Sequence, residues 1–390
     1  MLRKIIKKKI FKKLSDIDYG QINIKLPDGI EYTFTGKFPG VKADLALSDW
    51  RAFAKLINKG DVGLAEDYQD GYCDSSSIEK LLLFALQNEK LFNSVGHGGR
   101  VFKQMSKLLY LTKRNTISGS KKNIQAHYDL GNSFYKLWLD ESMTYSSALF
   151  LSDSDDLKSG HYNKYKRFLN KISIDKANIL EIGCGWGGFA ELAAIEGHTV
   201  TGITLSNQQY EYAVDRTKNL DVNIKLEDYR YQQGKYDIIV SIEMVEAVGE
   251  KYWNTYFKKL AELIKDDGKI MLQVITIDDK FFKNYRKNAD MIRSLIFPGG
   301  MLLCENAINN LVKRNNLHII DKHRFGLDYA KTLEIWLSNF NSNYNQVKAL
   351  GFNEKFIRLW QFYLSLCIAG FKHGRINVIQ LEIIKSKGVN

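Results

Sequence analysis

A doubly wound α/β domain preceded by a small α+β domain is the fold this sequence predicts, on three observations. From about residue 178 onward, short apolar runs suited to buried parallel strands alternate with helical patterns. Between the first such run, Ile179-Leu-Glu-Ile182, and its helix lies a glycine turn, Gly183-Cys-Gly-Trp-Gly-Gly188. Before residue 115 the pattern differs: two alternating segments flank Pro27-Asp-Gly29 as a hairpin would, and helical patterns follow. A chain of 390 residues accommodates two domains. The expected division is a basic amphipathic segment at 1–19, a small α+β domain at 20–115 and the large domain at 122–390.

The elements follow in order. In Met1–Leu14, Leu2, Ile6, Ile10 and Leu14 fall near one helical face, Ile5 and Phe11 broaden it, and lysines crowd the remainder. That pattern suits a helix lying in a membrane interface with lysines near anionic headgroups, with a solvated basic helix as the competing reading. Charge interrupts the apolar residues too often for a secretory signal. Strands are predicted at 21–26 and 30–35, and helices at about 48–58 and from Ile78 to Leu91. Between those helices Gly60–Tyr72, rich in glycine and acid, reads as a structural turn. The polar stretch Lys113–Lys122 reads as a linker. Downstream, strands are predicted at 178–183, 198–203, 222–226, 236–241 and 268–275, with helices beginning near Asn207, Met244 and Lys251. Arg375–Ile383 is expected to add an antiparallel edge strand.

In such a fold ligands sit outside the carboxyl ends of the strands. Those ends carry Gly183–Gly188, Thr204–Gln209, Asp228–Arg230, Glu243–Glu246 and Gln273–Ile275. A glycine turn alone suits a dinucleotide as well as other nucleotides. Here the glycines run G-x-G-x-G-G rather than G-x-G-x-x-G, and Glu181 precedes them, where an acid meets the cationic amino-acid end of S-adenosylmethionine. The net charge of +12 points to an anionic partner, nucleic acid or an anionic membrane surface. Cys73, Cys184, Cys304 and Cys367 lack the spacings of a zinc site or disulfide framework, which suits a reduced cytosolic setting, and no metal ligand set is read. No apolar run approaches bilayer-spanning length.

One ordered series of motifs is more specific. His127–Trp138 and Met143–Ser147 resemble the start of the catalytic domain of cyclopropane-fatty-acyl-phospholipid and mycolic acid cyclopropane synthases. Glu181–Gly188, Gly202–Ser206, Asp228–Arg230, Phe297–Gly300, Phe325–Tyr329 and Tyr363–Phe371 continue the resemblance in order. It implies a class I methyltransferase fold with a lipid-associated amino-terminal domain. It also implies transfer of a methylene group from S-adenosylmethionine to a cis double bond of a phospholipid acyl chain, closing a cyclopropane ring. The work would be done in the cytoplasm, peripherally on the inner face of the membrane, and the resemblance implies pairing into a homodimer.

Carried over by position, the cofactor shell is Tyr145, Ser146, Glu181, Gly183, Cys184, Gly185, Gly187, Gly188, Thr204, Leu205, Ser206, Gln208, Gln209, Tyr229 and Arg230. The family removes the final proton with a bound bicarbonate, held by a cysteine, a glutamate, a histidine, an isoleucine backbone and a tyrosine. This chain supplies Ser147, Glu246, Gln273, Ile275 and Tyr329 there, departing from the pattern with Ser for Cys and Gln for His. Both can hydrogen-bond an anion, but neither supplies imidazole basicity. Cys367 matches a cysteine assigned as catalytic, with a buried structural thiol as the competing reading. His127 and Asp129 would order the segment over the cofactor. Two alternatives stay open: a related lipid methyltransferase giving a methylated or methyl-branched chain without ring closure, and a nucleic-acid methyltransferase. Target-base motifs of the Asn-Pro-Pro-Tyr type are absent, so nucleic acid is not the expected partner. A lipid-binding protein without activity is a third.

Overall fold

The computed structural model describes residues 7, 10–92, 119, 130–288 and 290–386. Most of the predicted linker, together with His127 and Asp129, lies outside the described residues. The chain folds into two compact units, Met1–Thr112 with Asn284–Ile296 and Trp336–Arg375, and Lys113–Lys283 with Phe297–Ile335 and Ile376–Asn390.

The first unit carries a four-stranded sheet. The hairpin forms as the turn residues dictate: β1 (Tyr19–Lys25) pairs antiparallel with β2 (Glu31–Thr35), and Gly29 takes φ +82° in the turn between them. Ile22 and Ile24 alternate inward on β1. A strand the sequence does not announce, β3 (Phe38–Leu47), runs parallel to β1 and pairs with β4 (Cys73–Asp74). Its first half contains Pro39 and Gly40, and only Leu45 and Leu47 are buried, so no alternation shows.

Gly60–Tyr72 is not a turn; Asp61–Gln69 is a helix. Glycine and acids weaken its local propensity, but tertiary contacts override that weakness. Tyr68 packs on Phe362 with ring centroids 5.8 Å apart and lies under the Arg358 guanidinium, while buried Asp67 meets Lys55 at 3.2 Å.

The amino-terminal segment is helical where it is described, at residue 7 and residues 10–14. Phe11 packs edge-on against Tyr32 and Phe34 at 4.6 and 5.2 Å. Lys7 Nζ donates to Tyr32 Oη at 2.8 Å. Within the described residues, Leu14 is thus buried and Phe11 is partly buried against the hairpin. Phe11→Ala should lower stability by about 1–2 kcal/mol through lost aromatic packing. A thermal midpoint unchanged by the substitution would show that this packing contributes nothing.

The second unit holds a seven-stranded sheet in the order β10-β11-β9-β8-β5-β6-β7. Its strands are β5 (Asn178–Ile182), β6 (Thr199–Thr204), β7 (Val222–Leu226), β8 (Tyr236–Ile242), β9 (Ile264–Ile277), β10 (Leu317–Arg324) and β11 (Ile376–Lys385). β7, β6, β5, β8 and β9 run parallel, with β11 antiparallel to β9 and β10 antiparallel to β11. Apolar side chains of β5, β6 and β8 form a buried core with Phe168, Phe189 and Ala213 of the covering helices. The strand expected at the sheet edge is thus second from it. β10 is the edge, and its Asp321, Lys322, His323 and Arg324 blunt that edge with charge, which hides the strand from an apolar-run search. Among the described residues no helix is long and apolar enough to cross a membrane.

Candidate active site

Strand order reverses at β5, between β6 and β8, so the carboxyl ends open there into a crevice. The glycine turn shapes it. Gly183, Gly185 and Gly187 have φ of +82°, +53° and +82°, a region L side chains rarely adopt. Gly183 N and Cys184 N both donate to Ile203 O, which ties the turn to the end of β6. A Cβ on Gly183 would stand 2.9 Å from Met244 Cγ, whereas one on Gly185 would meet no protein atom within 4 Å. Gly185 therefore lies open to the cavity.

The cavity is lined by Tyr145, Ser146, Glu181, Gly183, Cys184, Gly185, Gly188, Thr204, Leu205, Gln209 and Tyr229 of the predicted shell. Gly187, Ser206, Gln208 and Arg230 are not in its lining and serve beside it. Ser206 caps the helix Asn207–Thr217 by accepting from Gln209 N. Arg230 holds Asp228 with Nε to Oδ1 at 2.8 Å and Nη2 to Oδ2 at 2.6 Å, and Asp228 itself lines the cavity. Thr204 Oγ1 donates to Gln209 Oε1 at 2.8 Å, which turns the Gln209 amide nitrogen away from Thr204. Tyr145 rests on the rings of Tyr135 and Trp138 at 5.6 and 5.2 Å.

Glu181 is 3% exposed, and its Oε2 has no hydrogen-bond partner among the described residues. Burial pushes its carboxyl well above the usual range, against a backbone hydrogen bond from Ala190 and the charges of Arg216 and Lys164. A cationic ligand beside the unpartnered oxygen would offset that desolvation. Cys184 is buried and its thiol is pushed well up by desolvation, so it contributes shape rather than a thiolate. All four cysteines are free.

The remaining predicted residues gather on a different glutamate from the one expected. Glu243, at the end of β8, accepts from Ser147 N at 2.9 Å, from Gln273 Nε2 at 2.7 Å and from Tyr329 Oη at 2.6 Å. It lines the cavity. Burial raises its carboxyl, and the Lys164 charge with these donors opposes the rise. Gln380 Nε2 donates to Gln273 Oε1 at 3.0 Å and so directs the Gln273 NH2 group toward Glu243. Ser147 Oγ donates to Ala148 O. Lys164, fully buried, donates to Ser146 Oγ.

Glu246 stands apart from that group: Ile275 N donates to its Oε1, and its Oε2 has no partner among the described residues. Desolvation and the Glu243 charge push its carboxyl up to about 8. Glu243, with three donors, is the better stabilised as a carboxylate, and Glu246 has only the Ile275 amide. Bicarbonate does not fit the place the resemblance implies, because the Ser147, Gln273 and Tyr329 donors already serve Glu243. The strand-end stretch Glu243–Glu246 holds both acids, and the signal for Glu243 is an acid two residues past the strand predicted at 236–241. Cys367 belongs to the first unit, on the helix Glu354–Lys372, with its thiol pushed by burial up to about 12.

Comparison with known proteins supplies the family. Residues 116–381 match the mycolic acid cyclopropane synthetase family. A tuberculostearic acid methyltransferase of Mycobacterium tuberculosis is 35% identical over 349 residues, spanning 86% of this chain and 81% of that protein. The cyclopropane-fatty-acyl-phospholipid synthase of Escherichia coli is 33% identical over 361 residues, 89% of this chain and 88% of its own. A crystal structure of a mycolic acid cyclopropane synthase complexed with SAH and CTAB superposes with a TM-score of 0.64 at 29% identity, over 68% of this chain and 98% of that one. The glycine-turn cavity at the switch point and these matches together establish that the chain belongs to the mycolic acid cyclopropane synthetase family of S-adenosylmethionine-dependent methyltransferases.

Proposed function

We propose that this enzyme adds a one-carbon unit to the cis double bond of unsaturated phospholipid acyl chains and closes a cyclopropane ring. The observation that carries the reading is a buried acid with an unpartnered oxygen, Glu181, in the same cavity as Gly185 and the Glu243 carboxylate. When bound, S-adenosylmethionine supplies an electrophilic methyl group on a sulfonium. Glu181 would pair with its ammonium, the backbone at Gly185 would pass close to it, and Thr204, Gln209, Asp228 and Tyr229 would hold the nucleoside. An alkene is a weak nucleophile, so alignment supplies much of the rate. Positive charge developing on the acyl chain suits a site with carboxylates and aromatic faces. The lipid and its site of encounter, an anionic bilayer at the inner membrane face, rest on the relatives' substrates and on the +12 charge.

A second reading, a methylated alkene without a ring, is favoured by Ser147 and Gln273, which stand where the resembling synthases carry Cys and His. Incubating the purified protein with labelled cofactor and oleoyl phospholipid vesicles, then locating the new carbon by fragmentation, separates the two, since their masses are equal. Cyclopropane is expected; a branched alkene alone would replace the first reading, and label in added RNA with none in lipid would overturn both. Glu181→Gln should weaken cofactor binding by about 1–3 kcal/mol through loss of a charge-assisted bond. Its thermal midpoint should hold or rise, because a desolvated carboxyl is removed. Calorimetry showing unaltered affinity would remove Glu181 from the site.

A further inference from the structure

The donors assigned to bicarbonate by resemblance are engaged by a carboxylate of the chain itself. Ser147 N and Gln273 Nε2 reach Glu243 Oε1, and Tyr329 Oη reaches Oε2. A carboxylate and a bicarbonate present the same planar, negatively charged O–C–O edge, so one donor set serves either and not both together. A second observation is independent of these bonds. Glu243 has φ +50°, a left-handed conformation that non-glycine residues rarely adopt. The fold thus keeps a carboxylate where the backbone favours glycine, a strained residue at a cavity wall.

We propose that Glu243 is the resident proton acceptor of this enzyme, standing where bicarbonate is expected, so that turnover needs no added anion. The inference rests on the reading that an acyl chain is methylated in this cavity. Once the new methyl carbon is bonded to one alkene carbon, the other alkene carbon carries the positive charge. A Glu243 oxygen takes a proton from that methyl. The released C–H electron pair bonds the methyl carbon to the cationic carbon and closes the three-membered ring. The carboxyl group, now neutral, gives its proton to solvent before the next turnover. Gln273 and Tyr329 orient the carboxylate and balance its charge while it is ionised.

The test uses the full-length protein, vesicles of palmitoyl-oleoyl phosphatidylglycerol and phosphatidylethanolamine, and buffer purged of carbon dioxide. Wild-type turnover should be the same with and without added bicarbonate. Glu243→Gln, which keeps shape and loses basicity, should fall by about 100-fold or more and should not respond to bicarbonate. Glu243→Gly relieves the backbone strain and empties the donor set, so its lost turnover should return with bicarbonate. Broadening of the carbon-13 bicarbonate signal should appear with that variant and not with the wild type. Retained binding of S-adenosylhomocysteine in both variants shows that the cavity is folded. Dependence of the wild type on bicarbonate, or full turnover in Glu243→Gln, would overturn the proposal while leaving acyl methylation standing. Absence of any lipid product from the wild type would instead sink the functional reading, and this inference with it.

Discussion

Gly185→Val should lose S-adenosylmethionine binding by more than about 100-fold while the protein still unfolds in one cooperative transition. Position 185 opens onto the cavity, with no protein atom within 4 Å of a Cβ placed there. The new methyl groups therefore displace ligand rather than core. The residue also has φ +53°, which for a β-branched side chain adds local strain of about 1–3 kcal/mol. Gly183→Val should behave differently, since its Cβ would press on Met244 at 2.9 Å and damage folding together with binding. Isothermal calorimetry beside thermal unfolding distinguishes the two. Wild-type affinity in Gly185→Val would place the cofactor elsewhere.

Lys164→Met should abolish a pH dependence of stability and move that of activity. Burial pushes the Lys164 ammonium down to about 7, against the charges of Glu243, Asp140 and Glu181, which favour its protonation. The unfolded chain binds that proton up to the ordinary lysine value near 10.5, whereas the native chain sheds it near 7. Between those values the unfolded state holds more protons, so this group makes stability rise with pH, by up to about 1.4 kcal/mol per pH unit. The rise should vanish in Lys164→Met. Removing the cation also removes an opposing influence on Glu243, which desolvation already raises. The acid limb of turnover should then shift to higher pH, with a fall of about tenfold at pH 7. Superimposable stability and activity profiles for variant and wild type would show that Lys164 is electrically silent.

Much of the second unit was legible because its signals are local. Ile179–Ile182, Val200–Thr204 and Tyr236–Ile242 are apolar runs between turn residues, and each forms a central parallel strand. The glycine turn announces itself because only glycine adopts those backbone angles freely. β3 and β10 were not legible: one is broken by Pro39 and Gly40, the other is a charged edge, and both are strands only because a neighbour pairs with them. The helix Asp61–Gln69 has the same origin, with Tyr68 held by Phe362 and Arg358 from far along the chain. Residues 284–296 and 336–375 join the first unit rather than the sheet that surrounds them in sequence, a matter of packing that no local pattern records.

The doubly wound sheet, the glycine-turn cavity and the residue types gathered around it are written in local sequence, because strand burial and positive backbone angles act on nearest neighbours. Tertiary structure alone decided which acid those residues serve. Ser147, Gln273 and Tyr329 come from three separated stretches and meet at Glu243 rather than Glu246, since β8 ends in a left-handed residue that aims one carboxylate at all three donors. Spacing along the chain contains no record of that turn.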